Sequence, residues 1–168
     1  MNSYKSAPVI SIIQPTFNNG LALEKSIKSI INQSYNGIEY NIIDGGSNKA
    51  TLDIISKYDS NISYWISEPD NGIYDALNKG IKKAKGDWLY FIGGDDYLYN
   101  ESIIEKVIPF LKDQKCIIYG NSFWMKQNRF YDGEFTWHKL IKKINAINQY
   151  FIQKWFFANL VIMLGIQY

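Results

Sequence analysis

Two adjacent carboxylates, Asp95 and Asp96, follow an apolar run and two glycines in the order Trp88-Leu89-Tyr90-Phe91-Ile92-Gly93-Gly94-Asp95-Asp96. Like charges held side by side repel unless a cation sits between or beside them. Hard oxygen ligands suit Mg2+ or Mn2+, ions that commonly bridge one or two carboxylates to phosphates. The blander alternative is a solvated acidic turn, and the position directly after an apolar strand weighs against it. Three further apolar runs end in polar or glycine-rich segments: Pro15-Thr16-Phe17-Asn18, Asp44-Gly45-Gly46-Ser47 and Glu68-Pro69-Asp70-Asn71-Gly72. Asp44 fits equally well as the N-cap of a following helix. Asp70 and Asn71 are also ordinary turn formers. Asn78 falls within a helical stretch, where Asn is a poor former, and reads as a polar contact toward a site.

The elements that must position these residues follow from periodicity. Residues 9–14 form a β-branched apolar run, stopped by Pro15, Asn18, Asn19 and Gly20, and Leu23, Ile27, Ile30 and Ile31 then recur at helical spacing. The same alternation gives strands over 40–43, 62–66, 88–92 and 117–119. Helices are expected around Leu52–Ile55, over 73–84 and over 101–111. Strands alternating with helices imply an α/β, Rossmann-like and mostly parallel sheet with helices on both faces. In such sheets ligands bind beyond the carboxyl ends of the strands. Every carboxyl end here is polar, glycine-rich or acidic, which places one acidic site on one edge. Residues 123–126 and 129–131 alternate around Gln127-Asn128 as a hairpin. The domain plan is an N-terminal tail over 1–8 and an α/β domain over 9–120. A partial hairpin and helix follow over 121–147, then an atypical apolar tail over 148–168.

With these segments in order, the chain resembles a family 2 glycosyltransferase of the nucleotide-diphospho-sugar transferase (GT-A) fold. Ser11-Ile12-Ile13-Gln14-Pro15-Thr16-Phe17-Asn18 is similar to that family's opening strand and loop, and Ile42-Ile43-Asp44-Gly45-Gly46-Ser47 to its second-strand motif. The stretch from Ser67 through Pro69-Asp70-Asn71-Gly72-Ile73-Tyr74-Asp75 to Asn78-Lys79-Gly80 resembles members that build bacterial capsules, exopolysaccharides and O-antigens. Gly86 to Asp96 resembles the strand leading into the family's metal-binding DXD-type motif, with Gly93 where a further aspartate is frequent. The resemblance implies that Pro15, Thr16 and Asn18 line a nucleotide pocket and that Asp44 accepts a hydrogen bond from the base. It places Asp70, Asp75 and Asn78 around base and ribose. Asp95 and Asp96 would face ribose and a Mn2+ or Mg2+ ion, with Asp96 the direct ligand. The implied reaction is metal-dependent, inverting transfer from a nucleotide-diphosphate sugar to a saccharide or lipid-linked acceptor. The alternative is a truncated, inactive remnant that still binds nucleotide diphosphate.

Composition narrows the field around that reading. The chain is 46% hydrophobic and 20% charged, a globular balance, and its formal net charge of +2 gives no basis for a nucleic-acid partner. One cysteine, Cys116, and one histidine, His138, exclude an intrachain disulfide and a thiolate or imidazole cage. No Gly-x-Gly-x-x-Gly follows the first strand, which argues against a nicotinamide site. The N-terminal residues show no signal-peptide pattern, so a cytoplasmic location is expected. His138, Lys139, Lys142 and Lys143 form a basic cluster that fits either a solvated helix face or peripheral contact with the inner face of a membrane. No acidic residue follows Glu134, so the catalytic base that the family places in its acceptor half is expected to be absent from this chain. Beyond Asn148 the sequence departs from the family, as an interrupted reading frame would make it.

Overall fold

The computed structural model of the chain describes Ala7, residues 9–111 and the strand backbones within 118–164. Seven residues, Ile10–Thr16, form a fully buried first strand, β1, and Gly20–Ile31 form the helix α1 behind it. Strand β2, Ile38–Asp44, pairs parallel with β1, so that Thr16 lies opposite Asp44 at the carboxyl edge. Helix α2, Lys49–Lys57, leads through a short 3-10 turn to β3, Tyr64–Ser67, which places Ser67 beside Asp44. Helix α3, Ile73–Lys83, then returns the chain to β4, Trp88–Phe91, on the other side of β1.

Alternation along the strands builds two cores. Ile10, Ile12, Tyr40, Ile42, Trp88 and Tyr90 pack against Leu23, Ile27 and Ile30 of α1 and Ile55 of α2. Ile13, Ile43 and Leu89 face the opposite way, onto Ala76, Leu77 and Ile81 of α3. Helices therefore cover both faces, and β1 and β2 are buried on both sides, as expected of a parallel sheet. Asn41 also lies fully buried in β2, and neither its Oδ1 nor its Nδ2 has a hydrogen-bond partner.

One expectation needs correction. The helix expected over 101–111 is only a five-residue α4, Ile103–Val107, which passes into a 3-10 turn, Ile108–Phe110. Pro109 is the reason, because its ring fixes φ and it has no N–H to carry the helix on. Val161–Leu164, within the segment beginning at 148, contribute a strand to the main sheet. With β5 as Ile118–Gly120, β6 as Ser122–Trp124, β7 as Arg129–Tyr131 and β8 as Val161–Leu164, the order is β3-β2-β1-β4-β8-β5. Strand β8 pairs parallel with β4 and with β5. A β-branched, apolar run satisfies the backbone edge of β4, whose groups would otherwise lack partners. Strands β6 and β7 form a separate antiparallel pair, with Phe123 opposite Phe130. The basic cluster from His138 to Lys143 falls outside the described residues.

Candidate nucleotide and metal site

The carboxyl edges of β1, β2 and β3 meet in a set of loops organised by one side chain. Asp44 is 0% exposed, and its Oδ2 accepts from the Gly46 N–H at 3.1 Å, the Ser47 N–H at 2.8 Å and the Ser67 hydroxyl at 2.6 Å. Its Oδ1 accepts from the Ser47 hydroxyl. A buried carboxylate needs such donors, because an unpaired charge removed from water is costly. The N-cap role left open for Asp44 belongs instead to Asn48, whose side chain accepts from the Thr51 N–H at 3.1 Å. What Asp44 does directly is fold its own turn, in which Gly46 takes a φ of +84° close to Pro69.

The neighbouring loops lock onto that turn. Asn18 has a positive φ of 51°, its N–H donates to Ser47 Oγ at 2.7 Å and its Oδ1 accepts from the Asn48 N–H at 2.8 Å. The Gly45 N–H donates to the Thr16 carbonyl at 3.0 Å, and the Glu68 N–H to the Asp44 carbonyl at 3.0 Å. Asp70 Oδ1 closes its own turn on the Gly72 N–H at 2.8 Å, while its Oδ2 lies 2.7 Å from where a Cβ on Gly45 would stand. Asp75 Oδ2 accepts from the Asn71 N–H at 3.1 Å. Lys79, absent from the expected site set, pairs with Glu68 at 2.9 Å and Asp75 at 3.6 Å and donates to the Pro69 carbonyl at 3.2 Å. The Glu68 carboxylate raises the Lys79 ammonium above its ordinary pKa.

The β4 edge is built differently. The Asp96 N–H donates to the Gly93 carbonyl at 3.2 Å and the Gly93 N–H to Asp96 Oδ2 at 3.3 Å, a tight acidic turn. A Cβ on Gly93 would stand 2.7 Å from Asp96 Oδ2 and 3.5 Å from Asp95 Oδ1, so both carboxylates converge on the space beside that glycine. One on Gly94 would stand 3.0 Å from both the Pro15 carbonyl oxygen and Thr16 Oγ1, which ties the acidic turn closely to the end of β1. Burial, reinforced by the neighbouring Asp95 charge, lifts the Asp96 carboxyl to about 6. The ion pairs found among the described residues involve neither aspartate.

These features fit a divalent cation. Two converging carboxylates are hard oxygen donors, and a partly buried Asp96 with a like charge beside it and no counter-charge among the described residues is what a cation relieves. Among the described residues no group of three or more His, Cys, Asp or Glu side chains could hold a metal by itself, so these residues would supply only part of a coordination shell. Thr16 Oγ1 at this edge and Asn78 Oδ1 in α3 are buried and lack partners. Asp44, Asp70, Asp75, Asn18, Pro15 and Thr16 are thus joined in one hydrogen-bonded loop assembly, and Asp95 and Asp96 adjoin it through Gly94. Gln14 was missed as a contributor. Its signal was a polar side chain inside an otherwise apolar strand.

A mostly parallel sheet with helices on both faces and an acidic, loop-built carboxyl edge is an α/β fold of the GT-A type. The sequence model for Glycosyl transferase family 2 matches residues 11–164, and the chain belongs to that family. A PGL/p-HBAD biosynthesis glycosyltransferase of Mycobacterium bovis is 34% identical over 149 residues, which are 86% of this chain and 58% of the relative. A Haemophilus influenzae glycosyltransferase is 32% identical over 117 residues, 68% of this chain and 47% of that one. The chain therefore spans about half the length of these relatives, 58% and 47%. Among solved structures, S. aureus TarS in complex with UDP-GlcNAc shares the fold with a TM-score of 0.60 at 20% identity, over 76% of this chain and 36% of that one. The mannosyltransferase PcManGT of Pyrobaculum calidifontis, in complex with GDP-Man and Mn2+, gives 0.59 at 19% identity, over 70% and 35%. Among the described residues no helix is long and apolar enough to cross a membrane.

Proposed function

We propose that this chain serves the transfer of a sugar from a nucleotide-diphosphate sugar to a hydroxyl of a saccharide or lipid-linked acceptor in bacterial surface polysaccharide synthesis. One observation carries the reading. A self-satisfied cage around Asp44 and the converging pair Asp95 and Asp96 share one sheet edge, and the pair has no counter-charge among the described residues. The cage would receive the base and ribose, with Pro15, Thr16 and Asn18 as one wall and Asp70, Asp75 and Asn78 as the other. Thr16 Oγ1 and Asn78 Oδ1, both without partners, are the free polar groups for that ligand. Asp95 would be shared between ribose and metal, and Asp96 would bind the metal directly.

Held by these aspartates, Mn2+ or Mg2+ supplies positive charge that offsets the diphosphate and makes the nucleotide a better leaving group. In the transfer the bond between the anomeric carbon and the diphosphate oxygen breaks, and its electron pair leaves with the nucleotide. The acceptor oxygen bonds to the opposite face of that carbon and its proton passes to a base, which inverts the centre. The donors bound in the structures of TarS and PcManGT, UDP-GlcNAc and GDP-Man, support a donor of this class. The reaction is assigned to the cytoplasm, at the inner face of the membrane where a lipid-linked acceptor is presented.

Calorimetric titration of UDP and of GDP, with and without Mn2+, tests the reading. For the full chain Mn2+ should strengthen binding of one of them by about tenfold or more, equivalent to about 1.4 kcal/mol. The double variant Asp95→Ala, Asp96→Ala should lose that gain, its metal-free affinity falling only by the ribose contact of Asp95. A gain that survives both substitutions would sink the proposal.

A further inference from the structure

The acidic turn sits at the start of a long segment, 93–102, with almost no regular structure, whose own hydrogen bonds only close the Gly93–Asp96 turn and tie Ser102 to Asn100. It is held from α1 and β1. Gln14, 0% exposed, donates through Nε2 to the Gly93 carbonyl at 2.8 Å and to Ser26 Oγ at 2.6 Å, and its Oε1 accepts from the Tyr40 hydroxyl. The orientation of the amide is fixed by chemistry, because a carbonyl oxygen can only accept and must face the nitrogen. Further along α1, Ser29 Oγ accepts from the Leu98 N–H at 3.0 Å. Beyond the helix, Gln33 donates to the Asn100 carbonyl at 2.7 Å and accepts from the Ile104 N–H at 3.0 Å. Ser26, Ser29 and Gln33 recur at intervals of three and four, so they share one side of the helix and its end. The remaining buried face of α1 is apolar, with Leu23, Ile27 and Ile30 in the core.

The first of these contacts bears on the site. The carbonyl that Gln14 holds is the same one that accepts from the Asp96 N–H, and the Gly93 N–H in turn donates to Asp96 Oδ2. We propose that Gln14, braced by Ser26 and Tyr40 beneath the sheet edge, is a positioning residue that fixes the Gly93–Asp96 turn for cation binding, with the polar seam of α1 steadying the segment that follows. This rests on the reading of Asp95 and Asp96 as the cation-binding pair. Fixing the turn in advance means that the cost of holding two like charges together is met by folding instead of being deducted from the affinity for the cation.

The test compares the full chain with Gln14→Met, which keeps length and apolar bulk but removes both ends of the amide, and with Ile55→Val, which loosens the same core away from the turn. Two readouts are taken: hydrogen exchange of the Asp96 amide without metal, and the ratio of UDP affinities with and without Mn2+. In Gln14→Met the Asp96 amide should exchange faster and the Mn2+ gain should fall by about three- to tenfold, the range expected for one lost hydrogen bond. Ile55→Val should lower the melting temperature and leave both readouts unchanged. Where Gln14→Met does not fold, Ser26→Ala, which removes only the brace, should give the same changes at about two- to threefold. Wild-type exchange and an intact Mn2+ ratio in a folded Gln14 or Ser26 variant would overturn the proposal. A wild-type chain whose affinities for UDP and GDP are both indifferent to Mn2+ would instead overturn the functional reading, while the exchange data would still judge the anchor.

Discussion

The two halves of the candidate site stand in opposite electrostatic states. On the β2 and β3 side, the Asp44 carboxylate is buried but receives four hydrogen bonds from Gly46, Ser47 and Ser67, and Lys79 neutralises the acidic loop beside it. On the β4 side, Asp96 is partly buried with one backbone donor, at 3.3 Å, and a like charge next door. The first half is finished without a ligand and contributes shape. The second is unfinished, so a ligand that brings positive charge gains more there than it would in water. Under the proposed function, the contrast would give recognition to the β2 and β3 loops and charge handling to the β4 turn.

The contrast breaks most visibly at Asp44. Asp44→Ala strips the acceptor from two N–H groups and two hydroxyls in a buried turn. It should destabilise the domain by about 3 kcal/mol or more, measured by urea denaturation. A loss below about 1 kcal/mol would mean that the cage does not depend on its carboxylate. Next comes Gly94→Ala, where the new Cβ would press on the Pro15 carbonyl and Thr16 Oγ1 at 3.0 Å each. Overpacking of this kind costs about 1–3 kcal/mol, and it should weaken Mn2+-dependent nucleotide binding by pushing the acidic turn away from β1. Ser67→Ala, which removes one of the four donors to Asp44, should cost about 1 kcal/mol and leave the Mn2+ ratio intact, because it touches only the finished half.

Sequence reasoning reached the finished half and the unfinished half unequally. The strands were legible because apolar runs ended near Pro15, Asp44, Pro69 and Gly93, and the acidic pair stood out because Asp95 and Asp96 are the only adjacent carboxylates in the chain. The four donors around Asp44 were hidden: Ser47 and Ser67 lie far apart in sequence and meet only because β2 and β3 pair in register. Gln14 was hidden for a related reason, since its value depends on a carbonyl 79 positions away. The early end of α4 could have been read from Pro109. The strand at Val161–Leu164 could not, because its place is set by the open edge between β4 and β5 and not by its own pattern.

The smallest effect is also the sharpest test of the unfinished half, because its sign changes with the ligand. The Asp96 carboxyl stands at about 6 in the folded chain against an ordinary value of 3.8. The folded state therefore holds the proton more tightly than the unfolded state, and linkage makes stability fall as pH rises between those two values. Below 3.8 both states are protonated and Asp96 costs nothing; above about 6 its ionised form carries the full penalty. Asp96→Asn removes that titration. Without metal, the variant should melt at the same temperature as wild type near pH 3.8 and a few degrees higher at pH 7.5, with the difference opening across the interval. With Mn2+ and nucleotide present at pH 7.5 the order should reverse, because the same ionised carboxylate that burdens the free protein is the one proposed to hold the cation. A variant less stable than wild type in the metal-free melt at pH 7.5 would show that Asp96 is satisfied within the fold, and the two halves of the site would no longer differ.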